Sequence, residues 1–256
     1  MCLIVFAHQL NPDWPLIMAA NRDEFLQRPT KNMHWWPDIE ILAGKDLDAG
    51  GTWLGIHKDG RWAGVTNFRK ATDKNTSVEA FKTRGQLVIN FLRQNDTSLA
   101  YANSLQMDQF AGFNLLLWDN HELVFCANNE QQPPKVLPPG LYGLSNGVLD
   151  CNWPKVKHVK HSLMCALHQP PLHQNLQQIM LDTAIAQDNL LPNTGIAIDW
   201  ERRLSSCFID APDYDYGTRS CISVLRDRIG NMDVFETCFD HLKPLTQHFT
   251  WMSEEP

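Results

Sequence analysis

Residues 2–24 read CLIVFAHQLNPDWPLIMAANRDE, which is two apolar runs separated by a turn. The first run, residues 2–8, and the second, residues 16–20, have the length and apolar character of buried strands. The segment between them carries the Asn, Asp and Pro residues that favour turns. The pattern therefore predicts a β-hairpin that delivers the quartet Asn21-Arg22-Asp23-Glu24 to a position close to Cys2.

The rest of the chain predicts an order of strands, helices and strands. We expect strands at 50–56, 61–68, 113–118, 122–126, 219–225, 233–239 and 248–252. We expect helices at 86–93, 153–168 and 172–187, and a further short helix that begins at an N-cap formed by Ser98. Lys58-Asp59-Gly60 predicts a hairpin turn, Pro170-Pro171 a helix break, and two stretches predict loops: one with Arg28-Pro29 and Trp35-Trp36-Pro37, the other at 132–140.

This order favours an α+β sandwich in which helices cover mainly antiparallel sheets. The chain lacks βαβ alternation and a G-x-G-x-x-G turn, which makes a dinucleotide-binding fold unlikely. We see no internal repeat and no domain boundary, so we expect one domain over residues 1–256.

Composition restricts the class of function. The chain has a formal net charge of −7 and no block of Lys and Arg, so nucleic-acid binding is disfavoured. The seven cysteines are scattered and contain no C-x-x-C pair, which argues against a zinc ribbon and favours a reducing compartment. The first apolar run is too short for a signal peptide and no segment reaches the length of a membrane span. We therefore expect a cytoplasmic protein without an integral membrane segment.

Cys2 is the first candidate for chemistry. If Met1 is removed, Cys2 carries both a thiol and a free α-amine, and an amine with a pKa of about 7.7–8.0 can take the proton from the thiol. We expect Arg22 to lower the pKa of this thiol and Asp23 to orient the amine. The simpler alternatives are a small buried cysteine that opens a strand and a solvated Arg–Asp turn.

Other side chains supply further candidates. Asn67 and Asn146 stand at the ends of short strands, where an amide can stabilise an oxyanion. Arg219 can bind a carboxylate through two hydrogen bonds. His8 is placed near Cys2 because both belong to the first strand. His158 and His161 have the spacing to face one metal ion, but a solvated helix face is favoured, so we predict no metal site.

Several sequence blocks, taken in order, resemble a known family. They are Asn-Arg-Asp-Glu at 21–24 with Arg28-Pro29, Gly-Gly-Thr-Trp-Leu-Gly at 50–55, Thr66-Asn67, Gly-Phe-Asn-Leu-Leu at 112–116, Tyr-Gly-Leu-Ser-Asn at 142–146 and Tyr-Gly-Thr-Arg at 216–219. Each block is weak by itself, but together they cover almost the whole chain. The set resembles the NRDE family, also called the transport and Golgi organisation protein 2 family, in a bacterial-type member.

The resemblance implies the four-layer αββα sandwich of amino-terminal-nucleophile (Ntn) hydrolases. It also implies a protein that binds haem as cargo and passes it to haem-accepting proteins. Given haem as the cargo, the candidate residues in this sequence are Cys2, His8, Arg22, Trp53 and Arg219. Similar amidohydrolases, such as the choloylglycine hydrolase group, imply a catalytic set at Cys2, Arg22, Asp23, Asn67, Asn146 and Arg219.

Three functions therefore stay open. The first is a cytoplasmic haem-trafficking protein or chaperone, and the second is a cysteine hydrolase acting on the carbon–nitrogen bond of a small amide. The third is a carrier of a lipid or acyl ligand. A retained Met1 would block the Cys2 amine and the hydrolase mechanism, whereas haem ligation requires only the sulfur atom.

Overall fold

A computed structural model describes residues 2–69, 81–129, 132–170, 172–240 and 243–253. The chain divides into two compact units. Unit 1 comprises residues 1–27 and 139–252, and unit 2 comprises residues 28–138 and 253–256. Two predictions fall outside the described residues: the fate of Met1, and the second proline of the expected helix break at Pro170-Pro171.

The elements are numbered in chain order. The strands are β1 (Cys2–His8), β2 (Leu16–Phe25), β3 (Thr30–Trp36), β4 (Ile41–Asp46), β5 (Leu54–His57), β6 (Trp62–Asn67), β7 (Phe113–Trp118), β8 (Leu123–Ala127), β9 (Lys135–Leu137), β10 (Gly140–Leu144), β11 (Asp210–Ala211), β12 (Tyr216–Arg226), β13 (Asn231–Cys238) and β14 (Leu245–Met252). The helices are α1 (Gly85–Arg93), α2 (Ser98–Ser104), α3 (Pro154–Ala166), α4 (Leu172–Met180) and α5 (Ile198–Arg203).

Unit 1 is built on one antiparallel sheet. Its strand order is β10-β1-β2-β12-β13-β14, with β11 paired to β12. Helix α3 packs on β1 and β10, and α4 packs on β2 and β12. Because side chains alternate along a strand, Leu3, Val5 and Ala7 of β1 face these helices and join a core with Val159 and Leu163 of α3.

Unit 2 contains a second antiparallel sheet, in which β3 to β9 pair in sequence order. Helix α1 packs on β5 and β6, and α2 packs on β8. The apolar face of α1, with Leu87, Val88 and Phe91, meets Val65 and Leu115 of the sheet in a second core. This face has the i, i+1, i+4 spacing of an amphipathic helix.

The predicted α+β class is confirmed. Each unit pairs one antiparallel sheet with a helix layer, and these are the layers that an αββα sandwich requires. The single-domain organisation stays a prediction. Among the described helices, none combines the length and the apolar character needed to cross a membrane.

Two predicted hairpins are confirmed. Strands β1 and β2 pair from Cys2 opposite Arg22 to His8 opposite Leu16. Strands β5 and β6 pair across the Asp59-Gly60 turn, and Gly60 has a φ of 90°. A glycine adopts this angle without the steric cost that other residues bear.

Several boundaries predicted from the sequence are wrong. Strand β2 continues to Phe25, so the Asn21–Glu24 quartet lies inside the strand and not after it. The loop predicted around residues 28–37 contains β3, and β4 follows it. Strands β12 and β14 begin three residues earlier than expected, at Tyr216 and Leu245.

The helix ends also differ from prediction. Thr97, not Ser98, caps α2 by accepting a hydrogen bond from the Ala100 amide. Helix α4 ends at Met180 instead of continuing to residue 187. The Met180 carbonyl accepts a hydrogen bond from the Asn21 side chain, so this tertiary contact occupies the helix end.

Candidate functional site

Cys2 and Arg22 are neighbours on one face of the unit 1 sheet. They are directly opposite in the β1–β2 register, and residues so placed have Cβ atoms about 4.5–5.5 Å apart. Both are buried, and Arg22 Nη2 lies 3.9 Å from Glu24 Oε2. Because Leu3 and Val5 face the helices, Cys2 and Arg22 lie on the other face of the sheet. The hairpin register thus explains why the Asn21–Glu24 segment lies close to Cys2, as predicted.

Burial controls the protonation of Cys2. Loss of hydration raises the pKa of its thiol to about 11, and the neighbouring Arg22 charge opposes this rise only in part. The Arg22 charge lowers this pKa, as expected, but burial outweighs it, so the net shift is upward. At neutral pH the Cys2 sulfur is a thiol, and any reaction or ligation at the sulfur must first release a proton.

Asp23 is held by the strand next to it. Thr218 Oγ1 donates to Asp23 Oδ1 at 2.7 Å, and Tyr216 Oη donates to the Asp23 carbonyl at 2.8 Å. Thr218 Oγ1 also accepts from the Ile209 amide at 2.8 Å, which leaves the hydroxyl proton for Asp23. Burial raises the pKa of the Asp23 carboxyl, and the Lys155 charge on α3 works against this rise. Asp23 therefore lies on the helix side of the sheet.

Asn21 shares this helix side and has a structural function. Its Nδ2 donates to the Met180 carbonyl at 2.8 Å and to the Cys207 carbonyl at 3.0 Å, and the residue is fully buried. The quartet therefore divides by strand alternation. Arg22 accompanies Cys2, whereas Asn21 and Asp23 turn towards the helices.

Asn146 follows β10 at the end of the sheet where Cys2 lies. Ser145 Oγ donates to the Cys2 carbonyl at 3.2 Å and to Asn146 Oδ1 at 3.3 Å. Both Ser145 and Asn146 are completely buried. Asn146 therefore lies next to a residue that contacts the Cys2 main chain, and its function at the site stays a prediction.

Arg219 already binds a carboxylate of the chain. It lies at a β-bulge between Thr218 and Ser220, and its guanidinium forms a two-point ion pair with Asp240, one contact being Nη2 to Oδ2 at 2.8 Å. Its Nη1 also donates to the Phe25 carbonyl at 2.8 Å. The predicted chemistry of Arg219 is therefore present, but its partner in this structure is Asp240.

The other candidates are placed elsewhere. Cys2 and His8 occupy opposite ends of β1, about 20 Å apart at the rise of an extended strand, so the placement of His8 near Cys2 was wrong. Asn67, at the end of β6, and Trp53 both belong to unit 2. Trp53 packs against the core of that unit.

The residues that hold the site together were not predicted from the sequence. Thr218 and Tyr216 were part of a recognised block but received no function. Nothing in the sequence shows that the Lys155 charge acts on Asp23 or that Asp240 pairs with Arg219.

These features define an α+β protein with a strand-initial buried cysteine, an arginine beside it and a buried, hydrogen-bonded aspartate. The family model described as "Transport and Golgi organisation 2" matches residues 1–241. The chain therefore belongs to the Transport and Golgi organisation 2 family, the family that its motifs resemble.

Individual members of this family are also similar to this chain in sequence. The mouse (Mus musculus) Transport and Golgi organization 2 homolog is 31% identical, with 92% of each chain covered. The human (Homo sapiens) homolog is 30% identical over 99% of this chain and 100% of its own length. Among solved structures, a Caenorhabditis elegans N-acylethanolamine-hydrolyzing acid amidase (NAAA) ortholog is similar with a TM-score of 0.47 and 12% identity, covering 79% of this chain and 97% of that one.

Proposed function

We propose that this protein binds haem as cargo and passes it to haem-accepting proteins in the cytoplasm. The resemblance to the family implies this function, and membership over residues 1–241 supports it. The observation that carries the proposal is the pairing of Cys2 with Arg22 on one face of the sheet. A cysteine sulfur is an axial ligand for haem iron, and an arginine pairs with carboxylates such as the haem propionates.

The neighbours of this pair on the same sheet face are apolar and fully buried. Ile4 and Phe6 follow Cys2 on the same face of β1, and Met18 and Ala20 precede Arg22 on the same face of β2. One end of this surface carries the thiol and the guanidinium, and the rest is apolar. Haem has the same division, with charged propionates on the edge of an apolar ring.

Absorbance titration of the purified chain with ferric haem tests the proposal. We expect saturable binding in the wild type, with a weaker affinity and a shifted Soret band in Cys2→Ala. Arg22→Gln removes the charge but keeps the sulfur, so it should weaken binding about 10-fold or more without changing the ligand signature. Cys165→Ala is the matched control, because Cys165 is an exposed cysteine of the same unit.

The outcomes separate the parts of the proposal. No saturable binding would refute haem as the cargo. Binding that Cys2→Ala leaves unchanged would refute Cys2 as the ligand, and His8→Ala would then be measured. Transfer is tested by mixing the loaded chain with an apo-globin, whose own spectrum should appear at the expense of the starting complex.

A second candidate function is hydrolysis of a small amide. It is favoured by the position of buried Asn146, whose neighbour Ser145 donates a hydrogen bond to the Cys2 carbonyl. Cys2 Sγ would attack the amide carbonyl, the amine would leave with a proton, and water would then hydrolyse the thioester. Asn146 would hold the oxyanion.

Intact-mass measurement distinguishes this candidate from haem carriage. A chain that retains Met1 has no free amine on Cys2 and cannot use the self-base mechanism. A chain without Met1 that gains a stable acyl adduct on Cys2 from an activated amide would support hydrolysis. Loss of that adduct in Cys2→Ala, but not in Cys165→Ala, would locate it.

A further inference from the structure

We infer that His158, Asp182 and Cys207 form a binding site for a divalent transition metal ion of the zinc type. Each residue offers one ligand atom, and the three atoms lie within 4.8 Å of one another. The set combines an imidazole nitrogen, a carboxylate oxygen and a sulfur, which are the three donors that zinc takes in proteins. The inference is independent of the haem proposal, because it uses none of the residues assigned to haem.

The three ligands come from different parts of unit 1. His158 lies on α3, Asp182 follows α4 and Cys207 precedes β11. His158 Nε2 and Asp182 Oδ2 are already 3.0 Å apart, a separation that fits two ligands of one ion. Tetrahedral metal–ligand bonds of about 2.0–2.3 Å place ligand atoms roughly 3.3–3.6 Å apart, so separations of up to 4.8 Å would have to shorten by about an ångström on binding.

Hydrogen bonds hold the ligand segments in place before any ion binds. Asn21 Nδ2 donates to the Met180 carbonyl, two residues before Asp182, and also to the carbonyl of Cys207 itself. The Phe208 amide donates to the Asp182 carbonyl at 2.8 Å. These bonds join the segments that carry Asp182 and Cys207, so little conformational entropy remains to be lost on binding.

The Asp182 carboxylate is also oriented. Its Oδ1 accepts from the Ala184 amide at 2.8 Å, which leaves Oδ2 directed towards His158. Hydrogen bonds of this kind commonly fix the direction of a metal-ligating carboxylate.

Charge and access both suit a divalent cation. The Asp182 carboxylate and a Cys207 thiolate would neutralise its two positive charges, and His158 would bind as a neutral imidazole. Binding would replace the Cys207 thiol proton by the metal, and the proton would pass to solvent. The His158 side chain is 46% exposed, so an ion can enter, and a water molecule can complete the fourth position.

The experiment uses Co²⁺ as the probe, because cobalt in a zinc-type site absorbs visibly. Titration of the reduced, full-length protein should give a thiolate-to-cobalt band and the strong visible bands of four-coordinate cobalt. Zn²⁺ added afterwards should abolish both. His158→Gln should weaken Co²⁺ binding by more than the ~10–100-fold that loss of an outer hydrogen-bond partner costs. Cys207→Ser should abolish the thiolate band.

The chain supplies its own control. Cys165 Sγ and His161 Nε2 lie 3.9 Å apart on the exposed surface of α3, a second cysteine–histidine pair on the same helix. Cys165→Ser and His161→Gln should leave the cobalt spectrum unchanged. If these variants remove the bands, or if the wild type shows none, the site is refuted. His158 is exposed, so His158→Gln keeps the test decisive even if Cys207→Ser does not fold.

Discussion

Asn21, Arg22 and Asp23 are adjacent in sequence but perform different tasks, because a strand turns alternate side chains to opposite faces. Arg22 stands opposite Cys2, whereas Asn21 bonds the carbonyls of Met180 and Cys207 on the helix side. A sequence motif of this kind combines site chemistry with structural support. Substitutions at these positions should therefore have different effects, on the site in one case and on stability in the other.

Replacing Asn21 by alanine should reduce the stability of the folded protein. Two buried carbonyls would lose their donor, and each lost partner costs about 1–3 kcal/mol, so we expect a loss of about 3 kcal/mol. Urea unfolding followed by circular dichroism measures it. Asn103→Ala, at an exposed position where the amide bonds a carbonyl of its own helix, should change stability by less than about 0.5 kcal/mol. Equal losses in both variants would contradict this interpretation of Asn21.

For single residues, the sequence predicts which side chains lie close together better than it predicts their burial and charge surroundings. The hairpin pattern was sufficient to bring Cys2 and Arg22 together. It could not show that Cys2 is buried, and burial decides the direction of its pKa shift. It also could not show that Arg219 meets Asp240, because that ion pair joins the bulge of β12 to a residue beyond β13.

Among the elements of unit 2, the Gly51-Thr52 segment crosses the start of α1 in a close contact of backbone on backbone. A Cβ on Gly85 would lie 2.9 Å from the Thr52 nitrogen and 3.0 Å from the Thr52 oxygen, both of them backbone atoms. A Cβ on Gly51 would lie 2.9 Å from the Gly85 carbonyl carbon. Neither contact can be relieved by rotating a side chain. The two glycines are therefore required by close packing of backbone on backbone.

Because of this contact, we expect Gly85→Ala to decrease the stability of the protein. In an ordinary helix the change stabilises by about 0.5–1 kcal/mol, because alanine restricts the unfolded chain. Here the added methyl group should overpack the crossing and cost about 1–3 kcal/mol. The melting temperature and urea midpoint measure the change, with Arg93→Ala, exposed in the same helix, as the control. A stabilised Gly85→Ala would show that the two backbones separate easily.

The β5–β6 turn predicts a pH-dependent contribution to stability. Burial alone would raise the pKa of Asp59, but hydrogen bonds from His57 and Arg61 outweigh it and lower the pKa to about 2. The folded pKa is thus below the ordinary value of 3.8, so the stabilisation is complete above about pH 4 and is lost as the pH falls towards 2. The shift corresponds to about 2 kcal/mol.

Asp59→Asn should therefore destabilise the protein by about 2 kcal/mol at pH 7, and the difference from the wild type should shrink as the pH falls below about 4. Urea midpoints measured across that range check both statements. Asp38→Asn, at an exposed position, is the matched charge change and should have almost no effect. A deficit that persists unchanged at low pH would mean that the Asp59 charge is not its cause.

The elements that were predicted correctly are those specified by residues close together in the sequence. Asp59-Gly60 and the apolar runs on either side of it are sufficient for a hairpin. Strand β3 was missed because Pro29 and Pro37, which flank it, indicate a loop, although the backbone between them pairs with β4. The end of α4 was missed because Asn21, far away in sequence, occupies the Met180 carbonyl.

For the whole molecule, the sequence predicts one domain, while the chain forms two compact units. Unit 2 is inserted between the two segments of unit 1. Unfolding unit 2 alone would leave residues 28–138 as a loop closed by folded unit 1. Closing a loop of that size costs about 4 kcal/mol of chain entropy, which opposes separate unfolding.

We therefore expect both units to unfold at one urea midpoint, and two buried cysteines can report on them separately. Cys126 lies on β8 of unit 2 and Cys221 on β12 of unit 1, and burial raises the pKa of each thiol to about 12. Neither reacts until its unit opens, so brief alkylation at increasing urea, read by peptide mass, gives a midpoint for each unit. The two midpoints should coincide, and Asp59→Asn in unit 2 should lower both by the same amount. If Cys126 reacts at lower urea than Cys221, and Asp59→Asn shifts Cys126 alone, the chain consists of two independently folding domains.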